Sequence, residues 1–433
     1  MQNKINYDVL VITIIICIIV INIIYIFDNG LVLESGYMNS VTKKVYKDYS
    51  EYITNYSESD KEVINSYFSE GMKLSDYKNI IDRKSKVVNN SGKYETINYD
   101  FDRKLHYSDI EDMLYNMNNL DIVHLEIIGN SADNRNIYGI EVGNGNSVIY
   151  IDANAHSAEV GNTPILMRFL SEILNKYNEN DEDIVKKLNN VKLAVIPSIN
   201  PDIYEVYNYG IDSIKDKSLY IYENKDLIDF SNIKCNANGV DINRNLPSQN
   251  GGLYFNSENL YKNVSTELTT NVNKHFPGFS LGSEPETRAA MFFMLKHYKN
   301  LVAYIDMHSQ GRVIYAGKPN LPQEFNDKTT EFANKISSFT KYKVYGPSRE
   351  EVGEGIDGTL TDFMAELSCG FKFSSETGRL STDKYVDNSS IYTYKYPVVT
   401  IETLKTWTDD PNVFKDEYYN HGLRNFFYDL LNF

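Results

Sequence analysis

The stretch Val148-Ile-Tyr-Ile-Asp-Ala-Asn-Ala-His-Ser-Ala-Glu159 joins an apolar run to a polar cluster. Its first four residues are typical of a strand that is buried on both faces of a sheet. The polar residues that follow include an imidazole and a carboxylate three positions apart, His156 and Glu159. A buried strand that ends in titratable side chains predicts a site at the edge of a sheet.

Similar apolar runs recur along the chain and alternate with segments of helical spacing. The predicted strands are 124–128, 148–151, 191–196, 301–305 and 397–401, and the predicted helices include 108–117, 164–177 and 284–298. This alternation predicts an α/β layer fold with buried strands. Ser283-Glu-Pro-Glu286 predicts a capping box at the start of the last helix, with Ser283 as N-cap.

Four of the predicted strands end in polar clusters, at 154–159, 198–202, 306–309 and 400–403. Ligands of open α/β sheets bind at the carboxyl ends of the strands, so these clusters are expected to converge on one site.

His156, Glu159 and His308 would then form a set of two histidines and one glutamate, which with an open fourth position suits catalytic zinc. The alternative for the first pair alone is a loop histidine beside a solvated glutamate. Two further features favour a site, namely the polar cluster 239–247 and the carboxylate of Glu402 at a strand end with apolar neighbours. A carboxylate in such a place is costly unless it has a partner or a function.

Together these motifs resemble the zinc carboxypeptidases of the carboxypeptidase A type, from about residue 107 to the end of the chain. In the family's order they are the segment 127–138, His156 with Glu159, Asn200-Pro-Asp202, the segment 241–247, the helix start at 283–287, His308-Ser309 and Thr400-Ile-Glu402. The resemblance implies a mixed, mostly parallel twisted sheet with helices on both faces. It also implies a catalytic domain that spans about residues 100–433.

The same resemblance implies roles for four of the side chains. His156, Glu159 and His308 would bind one Zn²⁺ per chain. Glu402 would be the general base that takes a proton from the metal-activated water and passes it to the leaving amine.

For substrate binding, the resemblance points to Asn243 and Arg244, which would hold the free carboxylate of a peptide. A guanidinium makes this contact in a bidentate way that an ammonium does not. The family's oxyanion-stabilising arginine has its best match in Lys234, for which a solvated loop lysine is the alternative. Asp152 and Asp306 are interpreted as buried or supporting carboxylates rather than catalytic ones.

The sequence departs from the family in the region before Glu402. The tyrosine that usually precedes the specificity loop falls near Glu354 and is therefore missing or displaced. About 25 extra residues, 371–396, are expected to form a polar loop at the rim of the site. Thr361, at the position that often selects the terminal side chain, is neither acidic nor basic and gives no charge rule.

Composition and net charge limit the binding partners, the disulfides and the source that the sequence allows. The formal net charge of −16 over 433 residues, without a basic patch, argues against binding to nucleic acid. With only Cys17, Cys235 and Cys369, there is no disulfide framework, although a bridge between Cys235 and Cys369 remains open. Abundant Asn, Ile and Lys fit AT-rich codons and hence a low-GC bacterium.

The amino-terminal region differs in composition from the rest of the chain. Residues 9–27 carry no charge and approach the roughly 20 residues that a helix needs to cross a membrane. We interpret residues 1–27 as a short arm and a transmembrane signal anchor; a cleaved signal peptide is the alternative. Residues 28–99 read as a polar helical stalk or a small separate region.

These features together predict a single-pass protein of the cell membrane with an extracellular metallocarboxypeptidase domain. Its expected substrates are peptides, with cell-wall stem peptides first and environmental peptides second. Two other classes remain open, an amidase, deacylase or endopeptidase with the same zinc site, and an inactive surface protein that binds peptides. The second would be expected to have lost a ligand or the base, yet all four residues are present.

Overall fold

The computed structural model describes residues 86–90, 92–246, 282–298, 300–318, 321–347, 358–369, 372–373, 380–381 and 395–433. The expected anchor at 9–27 and the expected stalk up to residue 85 lie outside this part of the chain. No helix among the described residues combines the length and the apolar character that a membrane span requires.

One large sheet forms the centre of the molecule. The strands in chain order are β1 (Lys86–Val87), β2 (Val123–Asn130), β3 (Asn136–Val142), β4 (Ser147–Ala153), β5 (Val191–Ile196), β6 (Leu301–Ser309), β7 (Val313–Ala316), β8 (Lys343–Tyr345), β9 (Lys372–Phe373), β10 (Leu380–Ser381) and β11 (Val398–Thr403). Nine of them form a sheet in the order β1-β2-β3-β5-β4-β6-β11-β7-β8, while β9 and β10 pair with each other.

The sheet is mixed, as expected, but parallel pairs do not predominate among its described strands. The pairs β5–β4, β4–β6, β6–β11 and β7–β8 are parallel, whereas β1–β2, β2–β3, β3–β5 and β11–β7 are antiparallel. A connection of a few residues between consecutive strands, as between β2 and β3, only permits an antiparallel pair. The parallel strands β5, β4, β6 and β11 occupy the middle of the sheet; of the predicted site residues, His308 lies on β6, Glu402 lies on β11, and His156 follows β4.

Ten α-helices are described. They are α1 (Tyr107–Met117), α2 (Asn162–Asn178), α3 (Glu182–Asn190), α4 (Pro201–Tyr209), α5 (Tyr220–Glu223), α6 (Pro285–His297), α7 (Gln323–Thr340), α8 (Leu360–Ser368), α9 (Pro411–Asn420) and α10 (Leu423–Leu430). Each of the three predicted helices corresponds to one of them, within a residue or two at either end.

Alternate side chains of the central strands enter two different cores, which confirms helices on both faces. Along β4, Ile149 and Ile151 pack in a core with α1, α2, α7 and α10, while Val148 and Tyr150 pack in a second core with α6 and α8. Because neighbouring residues of a strand point to opposite faces, a strand between two helical layers must be apolar throughout. This explains the unbroken Val148-Ile-Tyr-Ile151 run.

The packed structure begins upstream of residue 100. Lys86 and Val87 pair with Ile127 and Glu126 of β2. Farther along the chain, Tyr94 is buried in the first core.

One local expectation fails, and one question left open by the sequence is answered. The N-cap of α6 is Glu284 and not Ser283, because Pro285 occupies the first helical position, where its missing N–H costs nothing. Cys235 and Cys369 are both buried free thiols, so no disulfide joins them.

Candidate functional site

His156 and Glu159 lie where β4 leaves the sheet. His156 precedes a 3₁₀ turn formed by Ser157–Glu159, which brings the carboxylate back toward the imidazole. The Nδ1 atom of His156 lies 2.9 Å from Oε1 of Glu159. The loop is held by Asn154, whose side-chain amide donates to the carbonyl of His156 at 2.8 Å.

His308 joins this pair from β6, which is the neighbour of β4 in the sheet. Its Nδ1 atom lies 2.8 Å from Oε2 of Glu159, so the two histidines contact different oxygens of the same carboxylate. One ligand atom from each of the three residues lies within 4.8 Å of the others, and all three side chains are buried. Two imidazole nitrogens and a carboxylate oxygen are a donor set that zinc favours. The structure thus brings the predicted ligand set together.

The second ring nitrogen, Nε2, of each histidine contacts another carboxylate. Asp241 lies 3.1 Å from Nε2 of His156, and Asp306 lies 2.9 Å from Nε2 of His308. A carboxylate on the far nitrogen fixes the orientation of a metal-binding imidazole and raises its basicity. Both Nδ1 atoms are therefore directed at the shared carboxylate of Glu159.

Burial and nearby charges shift the pKa values of this cluster in opposite directions. Burial alone would lower the pKa of His308, but the carboxylates of Asp306 and Glu159 outweigh it and raise that pKa well above its ordinary value. Burial disfavours ionisation of Glu159, yet the two imidazoles hold its pKa well below the usual range. A metal ion would replace a proton here, so metal affinity should fall in acid.

Glu402 lies on β11 directly across from His308 in the parallel register. Burial and the nearby charge of Glu159 raise the pKa of Glu402 to about 7, against smaller opposing effects of His308, Lys234 and His156. A carboxyl group that titrates near neutrality is suited to accept and release a proton.

Lys234 is next to the same cluster. Its Nζ atom lies 3.7 Å from Oε1 of Glu159, and the side chain is 20% exposed. The ammonium also lies 5.8 Å from the centre of the Trp407 ring, within the range of a cation–π contact. The indole N–H of Trp407 donates to the carbonyl of Ser309 at 2.8 Å, which fixes the ring beside β6. This position agrees with a site lysine better than with a solvated loop lysine.

Asn243 and Arg244 occupy a 3₁₀ turn, Ile242–Arg244, which is capped by Asp241. The side-chain amide of Asn243 lies 3.2 Å from Nε2 of His308, which connects this turn to the metal-ligand cluster. The guanidinium of Arg244 is buried and donates to the carbonyl of Asn243 at 2.6 Å.

A glycine allows the loop before α8 to approach this turn. Gly358 has φ +77°, and a Cβ atom at this position would lie 2.7 Å from the carbonyl oxygen of Arg244. Only glycine adopts such a conformation freely and leaves room for so close a backbone contact.

Sequence reasoning missed two residues at the site, Trp407 and the supporting role of Asp241. Asp241 was part of a quoted motif, and its place two residues before Asn243 was the available signal. Trp407 has no partner nearby in sequence, although it is the only tryptophan of the chain. The family's loop tyrosine, expected near Glu354, and most of the extra loop 371–396 lie outside the described residues.

The chain matches one protein-family model and several curated relatives. The zinc carboxypeptidase family model matches residues 110–406. A gamma-D-glutamyl-L-diamino acid endopeptidase of Lysinibacillus sphaericus is 31% identical over 224 residues, which are 49% of this chain and 52% of that protein. The catalytic chain of mouse carboxypeptidase N is 28% identical over 222 residues, 49% of this chain and 43% of that one. The chain thus spans about half the length of the curated relatives that it matches.

Solved structures share the fold at low sequence identity. A carboxypeptidase A from Helicoverpa armigera has a TM-score of 0.51 at 17% identity and covers 81% of this chain and 78% of its own. Bovine thrombin-activatable fibrinolysis inhibitor has a TM-score of 0.50 at 18% identity, with 75% and 99% covered. Since the family model covers most of the described catalytic region, the chain belongs to the zinc carboxypeptidase family of metal-dependent hydrolases, peptidase family M14.

Proposed function

We propose that the protein is a zinc metallocarboxypeptidase that removes the C-terminal residue of a peptide. The observation that carries this proposal is the convergence of His156, Glu159 and His308, whose ligand atoms lie within 4.8 Å of one another, with Glu402 opposite His308 on the next strand. These three side chains would hold one zinc ion. When bound, zinc supplies the Lewis acidity that activates water and polarises the substrate carbonyl.

Two side chains of the protein then supply proton transfer and charge stabilisation. Glu402 takes a proton from the attacking water and delivers it to the nitrogen of the leaving amine. Lys234 places a positive charge near the carbonyl oxygen, where negative charge develops during attack. Trp407 on one side and Glu159 on the other keep this ammonium close to the cluster.

Arg244, with Asn243 beside it, binds the free carboxylate of the substrate. A charge-assisted contact of a buried guanidinium is worth roughly 1.5–3 kcal/mol. A peptide with an amidated terminus lacks that charge and presents N–H groups to another donor. It should therefore be cut about a hundredfold more slowly than the free acid.

Arg244→Lys tests this assignment. The variant should lose most of its activity on the free acid, because an ammonium does not reproduce the planar fork. Its slow rate on the amide should hardly change. If the natural enzyme cleaves peptides with free and with amidated C-termini at equal rates, Arg244 does not bind a terminal carboxylate.

For the substrate, we propose cell-wall stem peptides. The name of the relative from Lysinibacillus sphaericus describes cleavage next to a γ-D-glutamyl unit and an L-diamino acid, which favours this class over environmental peptides. The sequence expectation of a single-pass anchor at residues 9–27 and an extracellular catalytic domain agrees with such a substrate. The net charge of −16 does not favour nucleic acid as a partner.

An endopeptidase or amidase with the same zinc site is the second candidate, and the name of that relative also favours it. The two are distinguished when the full-length protein is incubated with purified muropeptides and with unmodified peptides and the products are identified by mass. Release of single C-terminal residues supports the carboxypeptidase. Cleavage at internal bonds supports the endopeptidase, and peptide binding without products would indicate an inactive binding protein.

A further inference from the structure

Four polar side chains lie behind His308 on one face of the sheet. Two of them, Tyr304 and Asp306, precede His308 on β6, and side chains two apart on a strand point to the same face. Across the parallel pair of β4 and β6, Asp152 is the partner of Asp306. One turn of the pleat farther from the site, Tyr150 is the partner of Tyr304, and both rings belong to the core that contains α6 and α8. A pair of aspartates therefore separates His308 from that core.

Asp152 is fully buried and has a hydrogen-bond donor on one of its two oxygens. The hydroxyl of Tyr304 donates to Oδ2 of Asp152 at 2.8 Å. Oδ1 of Asp152 has no donor among the described residues. A buried polar atom without a hydrogen bond is costly, and the cost is larger when the atom carries charge.

Asp306 lacks a donor in the same way. Nε2 of His308 lies 2.9 Å from both oxygens of Asp306, and the hydrogen bond with good geometry is the one to Oδ2. Oδ1 of Asp306 has no hydrogen-bond donor in the part of the chain that the structure describes. The two neighbouring carboxyl groups thus each have one buried oxygen that needs a donor.

A single hydrogen atom between the two carboxyl groups satisfies both oxygens. A protonated carboxyl group has one O–H donor, which an ionised neighbour can accept. The hydrogen belongs to Asp152, because Asp306 is the group that accepts from the imidazole of His308 and is stabilised as an anion by it. Burial, followed by the charge of Asp306, raises the pKa of Asp152 well above its ordinary value, against smaller opposing effects of Tyr304 and His308.

We propose that Asp152 is a positioning residue of the metal site, which keeps its proton and donates it in a hydrogen bond to Asp306, the carboxylate that orients His308. The hydrogen bonds then form a chain from the hydroxyl of Tyr304 through the two aspartates to the imidazole. The proposal rests on the zinc site of the function proposed above. It adds a residue that contacts no metal ligand to those that determine how tightly the metal is bound.

A neutral Asp152 also fixes the charge behind His308. Two carboxylates in contact do not both ionise readily, so one negative charge and one proton are expected for the pair. The side-chain amide of asparagine has the same hydrogen-bonding capacity as the neutral acid, since its N–H can donate to Asp306 while its oxygen accepts from Tyr304. Alanine can form neither bond. The two substitutions therefore distinguish a neutral hydrogen-bond donor from a buried charge.

The first test measures zinc affinity by competition with a chelator of known affinity. Loss of a group that supports a metal-binding side chain typically lowers metal affinity about 10- to 100-fold, and Asp152→Ala should show a loss of this size. Asp152→Asn should bind zinc nearly as tightly as the natural protein. An equally large loss in both variants would mean that the charge of Asp152 is needed and would overturn the proposal. Unchanged affinity in Asp152→Ala would overturn it as well.

Infrared spectroscopy of the metal-free protein detects the proton directly. A protonated carboxyl group has a C=O stretch at a higher wavenumber than a carboxylate, and this band shifts in heavy water. The difference spectrum between the natural protein and Asp152→Asn near neutral pH should contain this band. Loss of a carboxylate band instead would show that Asp152 is ionised. Because the spectrum requires neither zinc nor turnover, its outcome is independent of whether the protein is a carboxypeptidase.

Two tyrosines provide matched variants that do not alter Asp152 itself. Tyr304→Phe removes the hydroxyl that donates to Asp152, so the C=O stretch should move to a higher wavenumber, as it does when a carbonyl loses a hydrogen bond. Tyr150→Phe removes a hydroxyl without a hydrogen-bond partner among the described residues and should change neither the band nor the zinc affinity. The two rings stack with centroids 5.2 Å apart, so both variants alter the same part of the core. Equal shifts in both variants, or none in Tyr304→Phe, would reject the proposed chain of hydrogen bonds.

Discussion

At the scale of single residues, a substitution at Glu402 separates the effect on turnover from the effect on metal binding. Glu402→Gln keeps the size of the side chain and removes the proton acceptor. Because Glu402 is not one of the three ligands, zinc content should remain about one per chain. Turnover should fall by roughly a hundredfold or more. Metal analysis and steady-state kinetics on the same preparation measure both quantities.

His308→Ala is the matched comparison for that variant. It deletes one of the three proposed ligands, so most of the zinc should be lost along with the activity. Full retention of zinc would remove His308 from the site. Undiminished turnover in Glu402→Gln would reject Glu402 as the base.

Three of the site residues could be predicted from the sequence because each lies at or just after the end of a recognisable strand. His156 follows β4, while His308 and Glu402 lie near the ends of β6 and β11, and parallel strands bring their carboxyl ends to one edge. Trp407 gave no such signal, because it acquires its role through a residue far away in sequence. Its contact with Lys234 depends on the folded arrangement.

At the scale of elements, strands with an unbroken apolar run were easier to predict than strands whose apolar run is interrupted or short. β3 was not predicted, since Gly139 and Glu141 interrupt its apolar pattern. β7 has only four residues, too few for a pattern to be distinct. Both are antiparallel neighbours of the predicted strands, so the proportion of parallel pairs was overestimated for the same reason.

The start of α6 predicts how the stability of the protein depends on pH. Glu286 is fully buried there and accepts hydrogen bonds from the backbone of Ala132 and the side chain of Asn236, both at 2.9 Å. Burial, followed by the charges of Asp202 and Glu284, raises the pKa of Glu286 to about 8. In the unfolded chain the same carboxyl ionises near pH 4.5.

Between about pH 4.5 and pH 8 the folded protein thus keeps a proton that the unfolded chain has lost. The free energy of unfolding should fall as the pH rises through this window, by on the order of a few kcal/mol, since tenfold in an ionisation constant is worth about 1.4 kcal/mol. The glutamine of Glu286→Gln does not ionise, so the free energy of unfolding of this variant should depend less steeply on pH. Unfolding of the metal-free protein by guanidinium at several pH values measures this pH dependence of the free energy of unfolding.

Glu324→Gln serves as the control for that series, because it removes an exposed carboxylate from the first turn of α7. Its pH dependence should match that of the natural protein. An equally steep dependence in Glu286→Gln would assign the loss of stability to other groups.

At the scale of the whole molecule, the expected membrane topology leads to a cleavage experiment. The described structure begins with Lys86 and Val87, which pair with β2, so we expect a protease to act upstream of them, in the polar region after residue 27. Protease added to intact cells should release a fragment that retains the catalytic domain and its activity. Amino-terminal sequencing of the fragment locates the cut.

Cells that are broken before digestion are the control for access. If the domain is released only from broken cells, the catalytic domain faces the cytoplasm. Release of active enzyme without any protease would favour a cleaved signal peptide over an anchor.

The position of Trp407 gives the molecule an optical property. It is the only tryptophan among 35 tyrosines and 20 phenylalanines, and it lies against Lys234 and the carbonyl of Ser309. Nearly all emission excited at the red edge of the absorption band therefore originates at the site. Zinc held by Glu159 would offset the negative charge that faces the ammonium of Lys234, and the electric field at the indole would change. The fluorescence of the unlabelled protein should then shift with metal loading and again with substrate binding, which makes the enzyme its own indicator.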